Sequence, residues 1–206
     1  MSIRLNQLLT QSGHPPLSPE IAEKFLAYLA VLQKWNAKIN LTAIRDEEGI
    51  LSRHFFESIL CAHKLPGNIV SLLDFGSGAG FPGIPIALIR KEISVTLAES
   101  QNKKTAFLRE AVRTLGIDAK VYTGRAETLP STFDCVTLRA VDDMPLAIPA
   151  AIQLLSQTGW LAILTTAADA PAFQTLASQF TSFTWLPFES LPERTNLTLL
   201  LGRRSQ

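Results

Sequence analysis

The sequence predicts an α/β fold: a mostly parallel, doubly wound sheet that follows an N-terminal helical extension and ends in an antiparallel hairpin. Three observations predict it. From Ile69 onward, short apolar strand-like runs alternate with helical ones, the pattern of parallel strands covered by helices on both faces. The first of those runs collapses abruptly into Gly76, Gly78, Gly80 and Gly83, a turn whose backbone must approach something closely. The last two apolar runs follow one another with no helix between them, as the arms of a hairpin do.

Taken in order, Leu5, Leu8 and Leu9 mark a short first helix that breaks at Ser12-Gly13-His14-Pro15-Pro16. Ser18 before Pro19 reads as an N-cap with proline at the first helical position. From there Ile21, Phe25, Tyr28, Leu29, Leu32, Trp35 and Ile39 recur at helical spacing and predict one long amphipathic helix. A third helix is expected to start near Asp46, bury Ile50, Leu51, Phe55 and Ile59, and stop before Pro66-Gly67. Residues 1–67 are thereby a helical extension, and 68–206 the sheet domain. Strands are expected at 69–75, 94–98, 119–123, 133–138 and 159–164, with helices at 84–91, 103–115, 145–155 and 169–179. Phe183–Phe188 and Asn196–Gly202 are the hairpin strands, joined by a loop around Ser190-Leu191-Pro192-Glu193.

Composition narrows the function classes. The 206 residues suit one main domain with an appendage. Nineteen Lys and Arg against eighteen Asp and Glu leave a net charge of +1, so any nucleic-acid contact must be local rather than a global electrostatic footprint. Cys61 and Cys135 stand far apart with no Cys-x-x-Cys pair, which fits reduced thiols in a cytosolic protein and supplies no zinc ligand set. No apolar run approaches the ~18 residues of a membrane span, and the start of the chain lacks a leader-like apolar stretch. The expectation is a soluble, unprocessed cytoplasmic protein without metal or membrane partner.

In doubly wound sheets, ligands bind beyond the carboxyl ends of the strands. The dinucleotide fingerprint requires a glycine where this chain has Phe81. The spacing that stands instead, Asp74-x-Gly76-x-Gly78-x-Gly80, resembles the glycine loop of the class I S-adenosylmethionine (SAM) methyltransferases, which are Rossmann-like and also end in a hairpin. After the second strand comes Glu99, close to the offset of about 20 residues at which a carboxylate takes ribose hydroxyls. After the third strand, Gly124-Arg125-Ala126-Glu127 offers a backbone amide and a carboxylate to an adenine rim. Arg139 terminates the fourth strand, where its guanidinium can orient an electron-rich base or pair with Asp142 or Asp143. Cys135 lies inside a strand and reads as a small core residue. In the extension, Asn40 reads as a helix stop, Thr42 as a turn hydroxyl, and His54 as a partner of Glu57. Gly-x-Ser-x-Gly, His-Glu-x-x-His and Walker motifs are absent, as is an Asn- or Asp-Pro-Pro-aromatic run, which disfavours methylation of an exocyclic amine.

Lys34-Trp35-Asn36 leading to Asn40-Leu41-Thr42, Arg45-Asp46, Arg53-His54 with Ser58, Asp74 through Pro85 with its Gly-Phe-Pro-Gly-Ile-Pro tail, Lys103 through Leu108, and Arg139-Ala140 together resemble the bacterial 16S rRNA (guanine-N7) methyltransferases of the RsmG, or GidB, family. The resemblance covers nearly the whole chain. It implies SAM as cofactor, held at Gly76, Phe81, Ala126, Glu127 and Arg139, with Asn40, Arg53 and His54 facing the same pocket. It implies as partner 16S rRNA, within the small ribosomal subunit or an assembly intermediate, a target guanine in the decoding-region loop, and action as a monomer. Two departures stand out: Glu57 where the family commonly has Asp, and Leu164-Thr165-Thr166 where it often has a Lys-Gly pair.

The expected cofactor residues are therefore Asp74, Gly76, Gly78, Gly80, Phe81, Glu99, Ala126, Glu127 and Arg139, and the substrate-orienting residues Asn40, Arg53, His54 and Arg139. Guanine N7 carries a free lone pair and loses no proton on methylation, so positioning should dominate and no side chain need act as base or nucleophile. Lys103, Lys104, Arg109 and Arg113 on one helix, with Arg203-Arg204, are the candidate phosphate contacts. A SAM-dependent enzyme acting on a small molecule or protein, and a non-catalytic nucleotide-binding module, are the competing readings.

Overall fold

The computed structural model describes residues 2–187, 189–190 and 197–205. The extension comprises α1 (Ser2–Gln11), α2 (Pro19–Asn36), α3 (Glu47–Gly49) and α4 (Glu57–Lys64), with a π-helical stretch over Ile50–Phe56 joining the last two. Ser18 caps α2 by accepting from the Ile21 amide, and Asp46 caps α3 by accepting from the Gly49 amide. Ile50, Leu51, Phe55 and Ile59 are buried as their spacing predicts.

Two details of the extension differ from the expectation. Helix α2 stops at Asn36, short of Ile39, because the Asn36 side chain turns the chain: Oδ1 accepts from the Leu41 and Thr42 amides at 2.9 and 3.1 Å, and Nδ2 donates to the Thr42 carbonyl at 3.2 Å. The third helix is not uniform either. Its wide turn spans Ile50–Phe56, a device common at functional sites, and it contains Arg53 and His54.

The sheet runs β3 (Ala119–Thr123), β2 (Ser94–Glu99), β1 (Ser71–Phe75), β4 (Phe133–Arg139), β5 (Leu155–Thr166), β8 (Leu197–Arg204), β6 (Phe183–Trp185), and the short β7 (Glu189–Ser190) also pairs with β8. The strands from β3 to β5 are parallel, whereas β8 is antiparallel to β5, β6 and β7. Phe188, the expected loop over 191–193 and Asn196 lie outside the described residues. Strand β1 begins at Ser71 rather than Ile69, since the Asp134 carboxylate accepts from the Val70 and Ser71 amides and the Ser71 hydroxyl there. Helices α5 (Gly83–Ile89), α6 (Asn102–Leu115), α7 (Met144–Gln153) and α8 (Ala170–Ser178) complete the alternation.

Strand alternation sends neighbouring residues to opposite faces. Leu72, Val95, Cys135 and Ala162 join one apolar cluster with α1, α2, α4, α5 and α6, whereas Leu73, Val136, Leu161 and Ile163 join another with α7 and α8. The extension thus thickens one side of the sheet, and Tyr28 and Phe55 pack against Phe81 beside the glycine loop, with Phe25 behind Phe55. Both cysteines are buried and free.

Candidate functional site

Beyond Phe75 the chain makes a tight sequence of left-handed turns at Gly76 (φ +70°), Gly78 (φ +55°) and Gly80 (φ +87°), a conformation that side chains with a Cβ resist. The three have different surroundings. A Cβ on Gly78 would meet only the Gly76 carbonyl at 3.8 Å, and one on Gly76 only Val141, so both keep backbone open over the cleft. A Cβ on Gly80 would meet the Tyr28 hydroxyl at 2.7 Å, because this glycine packs inward.

Asp74 is 1% exposed and braces the loop from beneath. Its Oδ2 accepts from the Gly83 amide at 3.2 Å and its Oδ1 from the Thr137 hydroxyl at 2.8 Å, while burial pushes its pKa up to about 6. Glu99 ends β2 and is 6% exposed. Its Oε2 accepts from the Gly78 amide at 3.0 Å and its Oε1 from the Gln101 amide at 2.8 Å. Tyr28, from the extension, donates to the Ala79 carbonyl at 2.6 Å. The loop is thus fixed by the sheet on one side and by α2 on the other.

These elements frame a cleft of about 450 Å³ at the carboxyl ends of β1 to β4. From the glycine loop, Gly76, Gly78 and Phe81 line it; from the strand ends, Glu99, Ala126, Glu127 and Arg139 do so; from the extension, His54 and Thr42. Asp74 and Gly80 do not line it and act as supports. Asn40 and Arg53 are not brought into it: Asn40 lines a neighbouring polar hollow, and Arg53 a hollow of about 500 Å³ that shares Arg139 and Ala140 with the cleft. Ala140 sits on the crest between them at φ +47°, an unfavourable conformation for a residue with a Cβ.

Arg139 pairs with Glu57, at 2.5 Å from Nη2 to Oε2, and with neither Asp142 nor Asp143. It also donates to the Arg53 carbonyl and, at 3.3 Å, to the Ser58 hydroxyl. Burial raises the Glu57 pKa against the opposing pull of Arg139, and lowers that of Arg139 against Glu57. His54 therefore does not pair with Glu57. Its ring stacks on Phe81 with centroids 4.6 Å apart, its Nε2 lies 2.7 Å from the Thr42 hydroxyl, and its Nδ1 lies 3.5 Å from Arg139 Nη2. Burial, reinforced by the Arg139 charge, lowers the His54 pKa to about 3. Which of Thr42 Oγ1 and His54 Nε2 donates is set by the imidazole tautomer. Thr42 Oγ1 also accepts from the Ile44 amide at 3.2 Å.

Residue type and spacing mark the glycines, Glu99 and Arg139, but not Tyr28 or Asn36. Tyr28 stands at an apolar position of α2, and only its phenol oxygen distinguishes it from a core residue. Asn36 sits one residue past Trp35 and carries no pattern that separates a loop clamp from a solvated helix end. Among the described residues, no cluster of His, Cys, Asp or Glu can hold a metal ion and no helix is long and apolar enough to cross a membrane.

A model of the family described as rRNA small subunit methyltransferase G, GidB, matches residues 21–184. The chain is 47% identical over 129 residues to ribosomal RNA small subunit methyltransferase G of a Roseiflexus species, covering 59% of this chain and 55% of that one. It is 41% identical over 151 residues to the protein of the same name from Methylobacillus flagellatus, covering 71% and 73%. The chain thus spans about half the length of the first relative and more of the second. Among solved structures, a SAM-dependent methyltransferase from Aquifex aeolicus superposes with a TM-score of 0.62 at 13% identity, covering 78% of this chain and 95% of that one, which establishes the class I methyltransferase fold. The glycine loop, the strand-end cleft and these likenesses agree that the chain belongs to the GidB family of rRNA small subunit methyltransferases.

Proposed function

We propose that this chain transfers a methyl group from SAM to N7 of a guanine in 16S rRNA. The observation that carries the reading is the cleft itself: exposed glycine-loop backbone, a buried carboxylate at the end of β2, and a neutralised arginine at the junction with a second hollow.

The residues present fit SAM. The open backbone at Gly76 and Gly78 leaves room for its amino-acid moiety where a Cβ would intrude. Each Glu99 oxygen accepts one backbone amide and retains a lone pair for a ribose hydroxyl. Ala126 and Glu127 stand at the far wall, where the adenine would lie, and Phe81 closes the floor. When bound, SAM supplies a methyl group on a positively charged sulfur.

The target guanine is placed in the hollow shared through Arg139 and Ala140, whose wall includes Met144, Phe173 and Leu164. Apolar and aromatic groups there favour a base turned out of its stack. Thr42, His54 and Arg139 orient it from the cleft side and Arg53 from the wall of the hollow itself, while Asn40 stands in the neighbouring polar hollow. No proton leaves N7, and His54, the side chain suited to take one at neutral pH, is held neutral with its pKa near 3. Methylation leaves a positive charge on the base, and Glu57 cancels the Arg139 charge that would otherwise oppose it. Catalysis on this reading is alignment of lone pair and methyl carbon. On this reading the helical extension, residues 1–67, and the methyltransferase domain, 68–206, share the substrate's hollow, in a cytoplasmic protein acting as a monomer on the small subunit or an assembly intermediate.

The test is incubation with methyl-labelled SAM and, in parallel, small ribosomal subunits, naked 16S rRNA or pooled metabolites. Label at guanine N7 of one 16S site is expected. Label confined to small molecules or protein, or tight SAM binding without transfer, overturns the reading.

A further inference from the structure

Beside the cofactor cleft, sharing Gln101 and Lys104 with it, lies a polar hollow of about 380 Å³ between the loop after α2 and the start of α6. Lys38, Arg45, Lys103 and Lys104 line it, together with Asn36 and Asn40, and its wall contains no carboxylate. Cations elsewhere pair with carboxylates: Arg4 with Glu48, Lys24 and Lys91 with Glu20, Lys34 with Glu110, Arg90 with Glu92, and Arg139 with Glu57. Among the described residues, none of the four cations of the hollow is paired with a carboxylate; Arg45 donates only to the neutral Asn40 side chain, at 2.7 Å.

The hollow is also built rather than incidental. The Asn36 side chain clamps the 37–42 loop that carries Lys38, as described above. Helix α2 is fixed against α6 by Trp35, whose Nε1 donates to Glu110 at 2.9 Å and whose ring meets Phe107 edge-on. Two separate segments, the loop after α2 and the start of α6, therefore hold like charges around one space, which costs repulsion that an anion relieves.

We infer that this hollow binds the sugar-phosphate backbone of the RNA strand beside the methylated nucleotide. The inference rests on the reading of the chain as an rRNA methyltransferase and names where that RNA is gripped. Charge complementarity and continuity with the cleft favour this occupant. The structure also revises the row of phosphate contacts that the sequence suggests along α6. Lys103 and Lys104 line the hollow with Lys38 and Arg45, whereas Arg109 and Arg113, further along α6, do not line it. Arg203 pairs in register with Trp160, six residues before the carboxyl end of β5 at Thr166, at the end of the sheet remote from the cleft.

The test compares wild type with the double variant Lys38→Gln/Lys103→Gln, and with Lys120→Gln, an exposed cation on β3, as control. Affinity for 16S rRNA is measured as a function of salt, and SAM affinity in parallel. Each lost phosphate contact should lower the slope of log affinity against log salt by about 0.7 for a single strand, so the double variant should lose about 1.4 with SAM affinity and the control slope unchanged. A wild-type slope in the double variant, while wild type still methylates RNA, overturns the inference and leaves the functional reading intact. A fall in SAM affinity that matches the fall in RNA affinity also overturns it, assigning the hollow to the cofactor. Absence of methyl transfer to any RNA by wild type overturns the functional reading, and the inference with it.

Discussion

Arg139 at the end of β4 and Glu57 at the start of α4 form an ion pair whose side chains are 12% and 5% exposed. The sheet and the extension are therefore joined electrostatically at the edge of the cleft, as well as by their shared apolar cluster. Glu57→Ala leaves a buried guanidinium without its counter-charge, which should cost about 3–5 kcal/mol. Glu57→Asp keeps the charge and should retain most of that stability. Urea unfolding of the three proteins decides it: equal midpoints for Glu57→Ala and wild type would show that the pair contributes nothing.

Tyr28 acts at a distance from the cleft. Its hydroxyl reaches the Ala79 carbonyl at 2.6 Å from within a fully buried site, and Tyr28→Phe leaves that carbonyl without its donor. A stability loss of about 1–3 kcal/mol is expected, together with weaker SAM binding because the glycine loop is freed on one side. Calorimetric titration with SAM checks the second effect, and an unchanged affinity counts against loop bracing.

Gly78 and Gly80 separate ligand space from core space. Both have positive φ, so alanine costs about 1–2 kcal/mol of strain at either. At Gly80 the new methyl also collides with Tyr28 and Ile84, adding about 1–3 kcal/mol of overpacking. Gly78→Ala should fold nearly as well as wild type yet lose SAM binding, whereas Gly80→Ala should chiefly lose stability. Thermal melts with and without SAM distinguish them.

His54 gives a pH signature. Its folded pKa of about 3 lies below the ordinary 6.5, so between those values the unfolded chain binds more protons and stability falls as pH drops from about 6.5 toward 3. Asp74 works the other way: raised from 3.8 to about 6, it favours the folded state at the acid end of its window, and that contribution is lost as pH rises through 6. His54→Gln removes only the first term, so its stability should rise less with pH between 5 and 7 than that of wild type. Parallel urea midpoints across that range test it, and identical slopes contradict the burial of a neutral imidazole. Methyl transfer should show no titration attributable to His54 over the same range.

Much of this site is legible along the chain because its parts are local. Positive φ demands glycine, a strand followed by a turn places Gly76 and Gly78, and the step from β2 places Glu99 at its carboxyl end. Arg139 is visible as a lone charge closing an apolar strand. Its partner is not: Asp142 and Asp143 are near in sequence, but the left-handed turn at Ala140 carries the chain onward, and Glu57 approaches from 82 residues away. The same holds for Asn40 and Arg53, which the resemblance groups with His54. The wide turn over Ile50–Phe56 and the Asn36 clamp send them to separate hollows.

The alternation of strands and helices along the chain, the cap at Ser18, the helix start near Asp46, the glycine loop and the family resemblance are all legible in one dimension, since each depends on residues within a few positions of one another. Which charges are neutralised emerges only when the chain is folded. Pairing depends on distance through space. The α4–β4 contact buries Glu57 against Arg139, whereas the α2–α6 contact leaves Lys38, Arg45, Lys103 and Lys104 around a hollow with no carboxylate.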